Sequence, residues 1–244
     1  MPTITFLGTA GDARATLLRA SGGCIIGTDK NQIHCDPGPG AIIKSDVGRH
    51  TAVLITNNDI LSSGGVPGIL YATSNDGEKK ECVLIEPENA KVENMENYTK
   101  AIYPLSPGLK VTLKDVEIVG QKTSTNALGY LIYTPDCIIG YCPHTKLTKE
   151  IVMQYKSADI MILPLAGVLS EKKEHKITVK DITTMLESIK PQLLILSSFT
   201  EKVLENDPLQ IARDIQLATG VNTVAAKDGM NITPSAKSIQ KRLG

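Results

Sequence analysis

Twice along the chain a run of short strands gives way to helices, and this repeat restricts the fold more than any other feature of the sequence. In the first half, Ile4 to Leu7 reads as a strand that ends in the turn Gly8 to Gly11. A hairpin follows, Gly23 to Gly27 and Gln32 to Asp36, around the polar turn Thr28-Asp29-Lys30-Asn31. Thr51 to Ile55 is a buried strand that runs into the polar loop Thr56 to Gly65, and Val66 to Thr73 is a short helix. Cys82 to Ile85 is the next strand. Pro87 to Tyr103 reads as a polar helix with Met95 and Tyr98 on one face, and Leu109 to Leu113 with Val116 to Val119 as a second hairpin.

The second half repeats the rhythm. Ala127 to Tyr133 and Cys137 to Cys142 are paired strands, and a helix near Thr148 to Lys156 leads into the apolar strand Asp159 to Leu163. Thr178 and Asp181 have capping-box character at the start of a helix that Lys190-Pro191 stops. Leu193 to Leu196 is a buried strand opening onto Ser197-Ser198-Phe199. Asp207, Pro208 and Gly220 frame one helix as N-cap, first turn and C-terminal stop, and Thr223 to Ala226 is the last strand. The tail from Ser235 to Gly244 reads as a solvated helix. Strand runs followed by helices suit two sheets packed face to face with helices outside, better than alternating βαβ units. The expectation is one α/β (α+β) domain spanning residues 1–244, with two similar halves at about 1–120 and 121–244.

Charge and cysteine usage narrow the function. Lys plus Arg equals Asp plus Glu at 26 each, so no global field favours nucleic acid or a membrane surface. The five cysteines are odd in number and contain no CxxC pair, which fits reduced thiols in a cytoplasmic protein. The N-terminus has no basic segment before a long apolar one, and no apolar run reaches the ~18 residues of a membrane span. Gly8 to Gly11 has the spacing GxxG rather than GxGxxG, so a dinucleotide site is disfavoured. Asp36 sits on the rigid corner Asp36-Pro37-Gly38-Pro39-Gly40, where hydrogen bonding to loop amides is the favoured role. His34, among apolar neighbours, is expected to pack near a sheet edge. His175 lies in the charged stretch Lys172 to Lys176 and reads as an exposed loop histidine.

Seven segments in order carry a resemblance to a known family: ITFLGTAG at Ile4 to Gly11, SGGCIIGTDKNQIHCDPGPGA at Ser21 to Ala41, VLIT before its loop, GYLIYTPDCIIGYCPHT at Gly129 to Thr145, ADIMIL at Ala158 to Leu163, KPQLLILSSF at Lys190 to Phe199, and AAKDGMNI at Ala225 to Ile232. The chain resembles the metallo-β-lactamase fold superfamily, in particular an archaeal stand-alone hydrolase-like type. The resemblance implies a four-layer αββα sandwich with a metal site at one edge, where two divalent ions lower the pKa of a bridging water. It also implies that Asp228 belongs to a structural turn.

The family's ligand motif, T-H-x-H-x-D-H with a later Asp and a late His, is not carried over. By position its members fall on Asn57, Asp59, Leu61, Ser62, His144 and Ser198. The chain has four histidines, His34, His50, His144 and His175, fewer than the family's site uses, so no register rebuilds it. Asp59 and His144 are the two credible ligands left, and hydrogen bonding to each other or to loop amides is their bland role. The leading expectation is a binding or regulatory scaffold that has lost the dinuclear site and needs no cofactor. The alternative is a phosphodiesterase- or nuclease-like hydrolase with a remodelled site, metal-free or holding one divalent Zn, Mn or Fe ion at Asp59 and His144. Within the superfamily such substituted subunits pair with an active copy, which implies a homo-oligomer or an active paralogous subunit as partner.

Overall fold

The computed structural model describes residues 1–168 and 176–234. Among these residues fourteen strands follow in chain order: β1 (Thr3–Phe6), β2 (Cys24–Gly27), β3 (Gln32–Cys35), β4 (Ala52–Leu54), β5 (Val83–Pro87), β6 (Ile102–Leu105), β7 (Lys110–Leu113), β8 (Val116–Gln121), β9 (Gly129–Tyr133), β10 (Ile138–Tyr141), β11 (Ile160–Pro164), β12 (Leu193–Ser197), β13 (Thr223–Ala225) and β14 (Asn231–Ile232). They form two seven-stranded sheets, β14-β1-β2-β3-β4-β5-β6 and β13-β12-β11-β10-β9-β8-β7. Each sheet is mixed in the same way. The β14 to β3 side of the first is antiparallel, and β3 to β6 run parallel. In the second, β7 to β10 are antiparallel and β10 to β13 parallel.

Alternation along the strands builds three apolar layers. Ile4, Phe6, Ile33, Leu54 and Ile85 of the first sheet meet Ile118, Ile132, Ile139, Ile162 and Ile195 of the second in the central layer. Their sequence neighbours face outward: Val53, Ile55 and Leu84 pack under Val66, Ile69 and Leu70 of a helix at Val66–Thr73. Met161, Leu163, Leu194 and Leu196 pack under Ile182, Leu186, Ile211 and Ile215 on the other side. Strands covered on both faces read as unbroken apolar runs, which is why Val53 to Ile55 and Leu193 to Leu196 contain no polar residue.

Seven α-helices accompany the sheets among the described residues: α1 (Ala41–Lys44), α2 (Ile60–Ser63), α3 (Val66–Thr73), α4 (Lys149–Gln154), α5 (Val179–Ser188), α6 (Glu201–Glu205) and α7 (Pro208–Thr219). Thr178 caps α5: its hydroxyl accepts from the Asp181 amide, and the Asp181 carboxylate accepts from the Thr178 amide at 2.9 Å. Asp207 caps α7, Pro208 opens it, and Gly220 ends it at φ 72°. Among the described residues, no helix is long and apolar enough to cross a membrane.

Two expectations are corrected. Pro87 to Tyr103 is not a helix: β5 runs to Pro87, turns follow, and β6 begins at Ile102. Backbone polar groups find partners outside a helical ladder. Glu86 Oε2 accepts from the Val92 amide at 2.8 Å, and Thr99 Oγ1 donates to the Cys82 carbonyl at 2.8 Å. Asn94, at φ 62°, bends the chain between them. Met95 and Tyr98 do share a packing face, through a turn rather than a helix. His34 is not near a sheet edge either. It lies on β3, the middle strand of seven, fully buried, with Nδ1 3.0 Å from His50 Nε2 and Nε2 2.8 Å from the Gly22 carbonyl. His175 and the tail from Ser235 to Gly244 lie outside the described residues.

Candidate functional site

The parallel strands of both sheets end along one edge, and the residues just beyond those ends surround a cleft of about 810 Å³. Ligand sites in open α/β sheets form at the carboxyl ends of parallel strands, where loops diverge. Asp36 follows β3, Thr56 to Asp59 follow β4, Asn89 follows β5, His144 follows β10, and Ser198 follows β12. Asn57, Asp59, Leu61, Ser62, His144 and Ser198 all line this cleft, so residues up to 141 positions apart in sequence (57 and 198) share one site.

Asp36 anchors its floor. Thr56 donates to the carboxylate from its amide at 2.7 Å and from its hydroxyl, and Tyr141 of the opposite sheet donates its hydroxyl at 3.0 Å. The expected role in binding a loop amide is therefore what the Thr56 contact shows. Burial pushes the Asp36 carboxyl up to about 6, against the opposing pull of the Thr56 and Tyr141 hydrogen bonds. The corner after Asp36 is close-packed. A Cβ at Gly38 would stand 1.9 Å from the Ser21 carbonyl oxygen and 2.4 Å from that of Leu61, so only glycine fits against the loop.

The loop after β4 is held mainly by its own backbone. Asn57 Oδ1 accepts from the Asp59 amide at 2.8 Å, and the Asp59 carbonyl accepts from Ser62, Ser63 and the Ser63 hydroxyl. Asp59 occupies the N-cap position of α2, yet its side chain makes no capping bond and is exposed. Leu61 and Ser62 are half-buried.

His144 differs from expectation. Its Nδ1 is buried with no hydrogen-bond partner, so neither Asp59 nor a loop amide satisfies it. An orphaned buried polar atom costs about 1–3 kcal/mol, which marks it as a place where something else can bond. Burial pushes the imidazole down to about 4, Lys176 adds to this and Asp12 opposes it, so His144 is neutral at pH 7. Ser198 sits at φ 48° in the turn from β12 to α6. A Cβ at Gly11 would lie 2.0 Å from the Ser198 carbonyl oxygen, so this glycine permits chain-to-chain contact at the cleft edge. Asp228 ties the neighbouring segments, accepting from the Thr9 and Ala20 amides at 2.9 and 2.7 Å.

The donors around the cleft, among the described residues, do not fit a dinuclear metal site. Among the described residues no three His, Cys, Asp or Glu side chains are grouped to hold an ion. Among the described residues the cleft offers one neutral imidazole, one carboxylate already bonded to three donors, one exposed carboxylate, amides, hydroxyls and aliphatic side chains. All five cysteines are buried and free, and burial raises the Cys142 thiol to about 12, so Cys142 is not a ready thiolate. Sequence reasoning passed over Tyr141, Thr56, Asn58, Asn89 and Asn126. Thr56, Asn58 and Asn89 follow carboxyl ends of parallel strands, a signal visible once the strands are paired. Tyr141 and Asn126 had none, because their approach depends on how the two sheets face.

No family model matches the chain. An uncharacterized protein of Methanocaldococcus jannaschii, MJ1374, is 25% identical over 253 aligned positions, covering 94% of each chain. The metallo-β-lactamase fold protein YhfI of Bacillus subtilis superposes with a TM-score of 0.77 at 13% identity, over 96% of this chain and 100% of its own. Igni18, a metallo hydrolase of Ignicoccus hospitalis, superposes with a TM-score of 0.70 at 12% identity, over 96% and 99%. With two seven-stranded mixed sheets face to face, helices on the outer sides and a cleft where strand ends meet, the chain has the metallo-β-lactamase fold.

Proposed function

We propose that this protein is a metallo-β-lactamase-fold scaffold that binds a ligand in its cleft without the dinuclear chemistry of hydrolases sharing the fold. What supports this reading is that the six positions aligned by the resemblance, Asn57, Asp59, Leu61, Ser62, His144 and Ser198, line one cleft. Only Asp59 and His144 among them are strong metal donors, and a tight zinc site needs three or four protein ligands. Leu61 cannot bind a metal. Association with a second copy or an active paralogous subunit is the partner arrangement that goes with this reading.

A second reading is a remodelled hydrolase with one divalent Zn, Mn or Fe ion at Asp59 and His144, and the unpartnered His144 Nδ1 favours it. A phosphodiester assay with and without added metal separates the two. The scaffold reading expects no metal-stimulated turnover in the native chain. Turnover abolished in both Asp59→Ala and His144→Ala variants supports the hydrolase instead.

A further inference from the structure

Cys24 on β2 and Cys35 on β3 stand directly opposite each other in the antiparallel register. The Thr28 amide bonds the Asn31 carbonyl at the hairpin turn, and the Asp36 amide bonds the Leu54 carbonyl on the far side of β3. Alternation from either end makes Cys24 and Cys35 a hydrogen-bonded pair, with Cα atoms about 5.5 Å apart. Disulfides span roughly 4.4–6.8 Å between Cα atoms, so the backbone is already within reach of one. Both side chains belong to the central layer, which puts the two sulfurs on one face. The thiols hydrogen-bond. Burial first, then this contact and the Asp36 carboxylate, push the Cys35 thiol well above its ordinary value. Among the described residues, no other strand pairing sets cysteine against cysteine.

The pair is asymmetric. Cys24 lines the cleft and Cys35 does not. Cys24 is only 1% exposed, an opening suited to a molecule close to water in size. Hydrogen peroxide is such a molecule. Attack of the Cys24 sulfur on its O–O bond forms a sulfenic acid, and the other oxygen leaves with the Cys24 proton as water. The Cys35 sulfur then displaces the sulfenic oxygen, which leaves with the Cys35 proton as a second water. The two thiols lose two electrons and the peroxide gains them. Burial keeps outside thiols from the sulfenic acid, so Cys35 is its partner.

A bond at this place is strained. Opposed Cβ atoms in a hydrogen-bonded pair stand about 5.5 Å apart, whereas a disulfide brings them to about 3.8 Å. Strands β2 and β3 must therefore close by about 1 Å or more, and strained disulfides are the labile, regulatory kind. The movement has a short route to the cleft. Cys35 immediately precedes Asp36, whose carboxylate holds the Thr56 amide and the Tyr141 hydroxyl. Gly23, next to Cys24, is pressed onto the same corner. A Cβ there would lie 2.1 Å from the Cys35 carbonyl oxygen and 2.3 Å from that of Asp36.

We propose that Cys24 and Cys35 are a peroxide-responsive thiol pair, and that their reversible disulfide shifts Asp36 and loosens its hold on Thr56 and Tyr141. Neither reading of the cleft uses these thiols, so the pair stands apart from both.

Thiol counting on the full chain tests it. Folded protein is treated with hydrogen peroxide, then unfolded, blocked with N-ethylmaleimide and weighed intact. The expected result is three adducts in place of five, a Cys24–Cys35 linked peptide, and a return to five after dithiothreitol. Cys35→Ala is expected to stop at a Cys24 sulfenic acid that dimedone traps, and Cys24→Ala to keep its four remaining thiols free. The carbon-13 signal of the Asp36 carboxyl is expected to move on oxidation of the native chain. Five adducts after peroxide, a link between other cysteines, or oxidation that ends without a bond overturns the proposal. So does a Cys24–Cys35 bond that leaves the Asp36 signal unmoved. If neither variant folds, the adduct count and the Asp36 signal of the native chain decide the matter alone.

Discussion

The Tyr141 hydroxyl lies 3.0 Å from Oδ2 of Asp36 and joins the two sheets at the floor of the cleft. Tyr130 makes a second inter-sheet link, donating to the Ile55 carbonyl at 2.7 Å, one residue before Thr56. The cleft therefore depends on the sheets keeping their spacing, and the groups that titrate there report on it.

Asp36 gives the first prediction. Its folded pKa, about 6, lies above the ordinary carboxylate value, so the folded state holds this proton more tightly than the unfolded one. Its contribution to stability is full below pH ~4 and is lost as pH rises through about 6. Asp36→Asn keeps an acceptor for the Thr56 amide and should flatten that part of the stability–pH curve, measured by urea unfolding. Tyr141→Phe removes a donor to the carboxylate and should raise the Asp36 pKa further, at a cost of about 1 kcal/mol. A carbon-13 titration that leaves Asp36 unmoved in Tyr141→Phe contradicts this.

The buried histidine pair gives the second, with the opposite sign. Burial depresses His34 to about 3 and His50 to about 4; the Gly22 carbonyl and Asp46, respectively, oppose this. Their stabilising contribution is full above pH ~6.5 and is lost as pH falls through about 4 and then 3. Their row runs from the Gly22 carbonyl through His34 and His50 to Gln32, whose Oε1 is 2.9 Å from His50 Nδ1. Two neutral rings satisfy it only with the Gln32 amide turned over, whereas one added proton satisfies it as it stands. His50→Gln removes one titrating group while keeping a donor for His34. It should lessen the acid-induced loss between pH 6.5 and 4 by on the order of 2–3 kcal/mol. An unchanged acid limb in this variant contradicts the assignment.

Gly11 gives the third. A methyl group there would overlap the Ser198 carbonyl, which is backbone and cannot swing aside. Gly11→Ala should destabilise the fold by roughly 2 kcal/mol or more, seen as a lower urea midpoint with an unchanged slope. A Gly8→Ala or Gly11→Ala effect confined to nucleotide binding would instead revive the dinucleotide reading.

Local chemistry made much of this legible in advance. Thr178 with Asp181, and Asp207-Pro208 with Gly220, announce helix ends because their caps use neighbours only a few residues away. The apolar runs at Val53 and Leu193 announce strands because both faces are covered. Pro87 to Tyr103 misled because Glu86 and Thr99 divert its backbone groups through contacts that polar composition does not encode. His34 misled because a polar residue in an apolar strand suggests an edge. Its two buried partners, His50 and Gly22, lie 16 and 12 residues away. At the cleft, the six positions aligned by resemblance do share one cavity, whereas the unpartnered Nδ1 of His144 follows from three-dimensional packing alone.

The central claim is that the cleft does not hold a dinuclear metal centre, and metal counting tests it most directly. The full chain, purified without added metal or chelator, is analysed by elemental mass spectrometry against protein concentration. The account predicts no stoichiometric transition metal. Two tightly held ions per chain, released together with Asp59→Ala or His144→Ala, would contradict it.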